Sequence, residues 1–121
     1  MDIEAQLAEA DWLRRRVKID EAIGMYRLLL MNHPECVRAR HGLGLCVGFK
    51  GRLDEAVFEL ESAAGLAPLS TAILIDLAKT YMMAEMYIEG ETMFRRVLKL
   101  DPDNEEAKKQ VQYCQMAGMM L

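Results

Sequence analysis

The chain has 121 residues, 28% charged and 52% hydrophobic, with a formal charge of −4, which fits a single soluble domain. That acidic balance argues against nucleic acid as a partner, since such binding depends on basic patches. No apolar run approaches the ~20 residues of a membrane span; the acidic start MDIEAQLAEAD is not a signal peptide, and three cysteines without Cys-x-x-Cys spacing suit free thiols in the cytoplasm.

Residues 3–15 place Ile3, Leu7, Ala10 and Leu13 on one helical stripe, with Asp2 positioned as N-cap. A turn follows around Arg16–Ile19. The basic run Arg14, Arg15, Arg16 and Lys18 reads as a solvated turn, because it does not extend into a basic stripe along the chain. The second helix, about 19–31, carries Ile19, Ala22, Ile23, Tyr26 and Leu30 and stops before Asn32-His33-Pro34. Helix three, about 36–49, turns Ala39, Leu43, Cys46 and Val47 inward. Its glycines Gly42, Gly44 and Gly48 each cost roughly 1 kcal/mol against alanine. Gly44 has a packing reason, since a small residue lets a neighbouring helix approach. For Gly42 and Gly48 the sequence leaves two explanations open, room for a ligand or a pliable helix.

Gly51 breaks the chain, and helix four, about 53–66, carries Leu53, Ala56, Val57, Leu60 and Ala63. Helix five, about 70–83, is capped by Ser70 or Thr71 and packs Ile73, Leu74, Leu77, Ala78 and Tyr81. Helix six, about 87–100, packs Tyr87, Phe94, Val97 and Leu98 and leaves Arg95, Arg96 and Lys99 to solvent. Asp101-Pro102-Asp103-Asn104 is a turn and cap signal. Helix seven runs about 104–117 and is expected to stop at Gly118.

These elements repeat. Pro34, Pro68 and Pro102 are separated by two gaps of 34 residues, and proline marks where a helix ends and the chain turns. Other columns keep the period: Ala22, Ala56 and Gly90 are small, Tyr26, Leu60 and Phe94 are large and apolar, and Ala10, Gly44 and Ala78 are small again. VKIDEA (17–22), GRLDEA (51–56) and EMYIEG (85–90) fall at one phase. Cys46 and Cys114 lie two periods apart and read as small packing residues.

The columns resemble the tetratricopeptide repeat, whose pattern is W-x2-L-G-x2-Y, then A-x3-F, then P. The middle unit carries Leu43-Gly44, Ala56, Ala63 and Pro68, and the third carries Leu77, Ala78, Tyr81, Phe94 and Pro102. The first departs most, with Glu9 where the family has leucine. The resemblance implies an all-α, right-handed solenoid of three helix-turn-helix repeats, about 3–36, 37–70 and 71–104, forming one domain over 1–121 with a capping helix at about 104–118. The cap rests on Gln112 and Gln115, polar where the earlier units hold small or apolar residues. The apolar tail Met119, Met120 and Leu121 keeps open a second reading, a piece of a longer repeat array.

No constellation for catalysis stands out. His33 precedes a proline, and His41 has Val37 and Leu45 at the i±4 places where a metal site on one helix would need ligands. There is no Gly-rich phosphate loop, and Asp20-Glu21 and Asp54-Glu55 sit where acids complement a helix N-terminus. The expectation is therefore no enzyme, no cofactor and no metal, and a surface that binds a protein or peptide. In the family the first helix of each pair lines the concave side. The lining columns here are Leu7, His41 and Ile75 with Lys109; Asp11, Leu45, Lys79 and Tyr113; Arg14, Gly48, Met82 and Met116; and Arg15, Phe49 and Met83. The alternative for Leu45, Phe49, Ile75, Met82 and Met83 is ordinary core, but they lie off the repeat's own packing columns, which favours the groove. Some members clamp a C-terminal carboxylate with lysine, asparagine and arginine; the matching places hold Leu7, Asp11, Gly42, Ala72 and Asp76, so that clamp is not expected. The apolar, methionine-rich lining resembles members that hold an apolar peptide or helix, such as bacterial secretion chaperones. The rival reading is a structural subunit that self-associates, with Trp12 and the terminal MML as contacts.

Overall fold

The computed structural model describes residues 2–120, the side chains of 119 and 120 excepted, so most of the apolar tail lies outside the described residues. It contains seven helices and, among the described residues, no strand: α1 (Ile3–Arg15), α2 (Ile19–Asn32), α3 (Val37–Phe49), α4 (Leu53–Leu66), α5 (Thr71–Met83), α6 (Tyr87–Leu100) and α7 (Glu105–Met120). The chain divides into two compact units, Met1–Leu66 with α1–α4 and Ala67–Leu121 with α5–α7.

The turn inside each helix pair is the same motif three times. Lys18, Arg52 and Met86 donate their backbone N–H to the carbonyls of Leu13, Val47 and Tyr81, and Val17, Gly51 and Glu85 donate to Arg14, Gly48 and Met82. Those are the two hydrogen bonds of a Schellman stop, which needs one residue in the left-handed region. Val17 (φ 60), Gly51 (φ 82) and Glu85 (φ 61) fill that place. Only the middle turn uses glycine; the other two carry the cost of a Cβ there.

The starts are capped as read. Asp2 accepts from the Ala5 N–H at 2.7 Å, the Ser70 hydroxyl accepts from Ile73 at 3.3 Å, and the Asn104 side chain accepts from Ala107 at 2.9 Å. Helix α3 begins at Val37, with Cys36 as its cap residue. The expected stop at Gly118 is not used: α7 continues to Met120. A glycine ends a helix when the chain needs the left-handed region after it, and Gly118 keeps an ordinary helical backbone.

The first unit packs around Leu7, Ala10, Leu13, Ile23, Tyr26, Leu29, Leu43 and Val47. Gly44 does what was expected: a Cβ there would lie 2.8 Å from Leu60 Cγ. Gly42 proves to be a packing residue as well, because a Cβ there would lie 2.3 Å from Tyr26 Cζ. The space it leaves is filled by Tyr26, not by a ligand. Gly48 has looser surroundings, with Ala56 Cβ at 3.4 Å. The unit also holds a part-buried ion pair, Arg40 to Glu59 at 3.0 Å, with Arg40 donating to the Pro34 carbonyl at 3.2 Å. In the second unit Ile73, Leu74, Leu77, Phe94, Val97, Ala107 and Val111 are buried. Arg96 is half-buried and donates to the Pro68 carbonyl at 3.3 Å, so it is not simply solvated.

Val17 is β-branched, exposed, and held where such a residue is strained. Val17→Gly should therefore stabilise the fold by about 1 kcal/mol, read as a higher urea midpoint; a lower midpoint would show that the Val17 side chain contributes packing that outweighs its strain.

Cys46 and Cys114 are buried and Cys36 is partly exposed. Burial pushes the Cys46 thiol up to about 11 and raises that of Cys114. Since thiolates are the reactive form, a native-state thiol reagent should label Cys36 first and the other two only at the rate of unfolding. Fast labelling of Cys46, followed by peptide mapping, would contradict the packing of α3.

Candidate functional site

In the first unit the α1–α2 turn folds Tyr26 back across α1. The Tyr26 hydroxyl donates to Asp11 and accepts from Arg14 Nε at 3.2 Å. Arg38 from α3 completes the group, giving one Nη to Asp11 Oδ2 at 3.0 Å and the other to Glu4 Oε2 at 3.0 Å. Gly42 supplies the room the Tyr26 ring needs. Burial works to raise the Asp11 carboxyl, but hydrogen bonds from Tyr26 and Arg38 and the charges of Arg38 and Arg14 outweigh it and hold it below the usual range. Burial, then the hydrogen bond to Asp11, pushes the Tyr26 hydroxyl strongly upward.

Four of these residues, Asp11, Arg14, Arg38 and Gly42, join the predicted His41 and Leu45 around a notch of about 120 Å³. Such a satisfied cluster holds α1, α2 and α3 in register and presents both signs of charge at its rim. The sequence reading placed Asp11 and Arg14 in the lining but missed Tyr26 and Arg38. The available signal was a tyrosine in a column otherwise filled by Leu60 and Phe94, one turn of packing away from an unexplained glycine.

The other predicted lining residues divide by exposure. Leu7 is 2% exposed and belongs to the core, so it offers no surface. Phe49, near the end of α3, is 68% exposed. In the second unit Met83, Tyr113 and Met116 are 62%, 54% and 63% exposed, while Ile75 is half-buried. Lys79 pairs with Glu106 at 2.8 Å. Met82 lies deeper: Cys114 Sγ is 3.0 Å from its sulfur, and it closes over Gly90. Tyr113 meets Tyr87 edge to face at 6.4 Å. A cavity of about 500 Å³ runs between α6 and α7, along Tyr87, Ile88, Glu91, Cys114 and Gln115; the sequence reading had marked Tyr87 and Cys114 as packing residues and Gln115 as lid, and had expected no cavity there. Among the described residues no cluster of His, Cys, Asp or Glu could hold a metal ion, and no helix is long and apolar enough to cross a membrane.

Tyr26→Phe removes the donor to a part-buried carboxylate and should cost about 1–3 kcal/mol at pH 7. The Asp11 contribution is present above its unfolded value near pH 4 and is lost as pH falls through the lower folded value. The stability gap between parent and variant, measured by urea unfolding, should thus narrow towards pH 2; a constant gap would detach Asp11 from the effect.

A sequence profile described as tetratricopeptide repeat matches residues 50–111, just over half of the chain. Among curated proteins, the antiviral innate immune response effector IFIT1 of Homo sapiens is 26% identical over 125 residues, covering 86% of this chain and 26% of its own length. The chain thus spans about a quarter of that relative. Among solved structures, the Yersinia enterocolitica type III secretion chaperone SycD, in complex with a peptide of the translocator YopD, superposes with a TM-score of 0.85 at 16% identity, covering 94% of this chain and 92% of that one. The first TPR of Spaghetti (RPAP3), bound to the HSP90 peptide SRMEEVD, gives 0.87 at 18% identity, covering 93% and 90%. At such identities the likeness establishes the fold. The profile match, the likeness of fold and the 34-residue period agree: the chain belongs to the tetratricopeptide repeat family.

Proposed function

We propose that this chain is a cytoplasmic protein-interaction module, a scaffold or chaperone-like adaptor that holds an apolar peptide or helix against the first helices of its repeats. The observation that carries the reading is the exposure of Phe49, Met83, Tyr113 and Met116 on lining columns of α3, α5 and α7, while Leu43 and Val47 in α3, Leu77 and Ala78 in α5 and Ala107 and Val111 in α7 are buried. Aromatic and aliphatic anchors dominate such contacts, and methionine adapts to varied partners. In the first unit His41 and Leu45 would accompany Phe49, with Asp11 as a polar rim; in the second, Ile75 and Lys79 would accompany Met83, with Met82 supporting it. Two of the similar structures hold peptides, one of them acidic. An acidic tail suits this chain less well: Leu7 is core, Gly42 is filled by Tyr26, and Asp11 and Asp76 bring negative charge.

In the same reading the three repeats act as one domain and α7 is its polar lid. In α3, Gly44 gives Leu60 its space and Val47 is buried. Helix α7 places Gln112 and Gln115 at those phases, both exposed. A helix seated as α4 sits on α3 would meet the Gln112 side chain.

A displayed peptide library should enrich sequences rich in Leu, Met and Phe, with affinity changing little between roughly 50 and 500 mM salt. Phe49→Glu or Met83→Glu should weaken binding at least about tenfold, since each sets a charge where water is expelled. The helical spectrum and melting temperature should hardly move, because both side chains are exposed. Binding that ignores both substitutions, or that collapses in salt, would refute the reading.

A further inference from the structure

We propose a second interaction surface, distinct from the lining: α1 is a self-association face, through which two copies of this chain pair antiparallel by Ala5, Ala8 and Trp12. These residues stand at i, i+3 and i+7 and so share one stripe of the helix. All three are exposed, Trp12 at 50%. One period later the same stripe is Ala39, Gly42 and Cys46, all buried, with the Tyr26 ring seated against Gly42. The stripe is thus a packing face in α3, and in α1 it stands bare among the described residues.

Trp12 decides what can cover it. The equivalent places hold Cys46, Thr80 and Cys114, all small. A hairpin docked as α1–α2 docks on α3 would collide with the indole. The partner must instead offer a hollow wide enough for an indole, and the alanine half of this same stripe is one. When the second helix runs in the opposite direction, Trp12 of each copy lies over Ala8, towards Ala5, of the other. Two knobs then meet two hollows about a twofold axis, the self-complementary geometry of an isologous dimer.

Charge favours the same direction. Glu4 and Glu9 border the alanine half, and Arg15 and Arg16 border the tryptophan half. At ~100° per residue Glu4 and Arg15 fall on one flank of the stripe, and Glu9 and Arg16 on the other. A twofold keeps each flank with itself and reverses its direction, so Glu4 faces Arg15 along one edge, while along the other Glu9 lies near the axis, between the two Arg16 side chains. A parallel pair would set like charges together. The groups are free to rearrange: the Glu4–Arg38 bridge is exposed, and Arg16 and Lys18 stack beside the indole at 5.1 and 5.9 Å from its centre. One helix face is smaller than the ~800 Å² per partner of a standard interface, so the dimer should be reversible and concentration-dependent.

Trp12 is the chain's one tryptophan, so its emission reports on this face alone. Sedimentation equilibrium of the intact chain from about 1 µM to about 500 µM should show monomer passing to dimer, with a blue shift of emission in step. Trp12→Ala and Ala8→Glu should each weaken the dimer at least about tenfold without changing the helical spectrum. Arg15→Glu should weaken it, and adding Glu4→Arg should restore it, a test that leaves the stripe itself untouched. A monomer throughout the range, a dimer indifferent to both Trp12→Ala and Ala8→Glu, or a dimer whose formation leaves the emission unmoved would overturn the proposal.

Discussion

Two helices joined by a three-residue turn cannot enclose a core, and everything else in this chain follows from that constraint. The second helix covers one face of the first, and the opposite face stays bare until another hairpin arrives. Close approach then demands small residues on one side and large ones on the other. Gly42 against Tyr26, Gly44 against Leu60 and Gly90 against Met82 are three solutions to that one problem. Each glycine gives up about 1 kcal/mol of helix propensity; at Gly42 and Gly44 it gains a contact that a Cβ would block, and at Gly90, where Ala22 and Ala56 fill the equivalent places, a looser one.

The first unit adds a polar device to this apolar scheme. Tyr26 occupies a column where Leu60 and Phe94 need only shape, and its hydroxyl would be costly in a core without partners. Asp11 and Arg14 supply them from α1, and Arg38 ties the group to α3. Every buried side-chain polar atom among the described residues finds a partner. Such a network is specific because it fails if any member shifts, which a layer of leucines would not.

Function in a repeat protein is left to the surfaces that stacking does not consume. Here they are of two kinds. The exposed apolar residues of α3, α5 and α7 lie off the packing columns, whereas Ala5, Ala8 and Trp12 lie on a stripe that in α3 is a packing face. As proposed, the first kind takes a variable ligand and the second, shaped by the repeat itself, takes a copy of the same chain.

The period, the seven helices and nearly all their ends were legible in the sequence, because prolines, caps and small-large columns are local signals that recur every 34 residues. Which side chains would be free was not. Leu7 and Phe49 both stood in lining columns, yet one is core and the other solvent-exposed, since exposure depends on the angle at which a neighbouring helix crosses. Gly42 had no explanation until Tyr26 from another helix was found in its space, and the run Arg14–Lys18 read as one solvated patch until tertiary packing divided it. Arg14 turned inward to Tyr26 and Arg16 outward to Trp12, because a helix separates neighbouring residues by ~100° and only the partner helix decides which direction is inside.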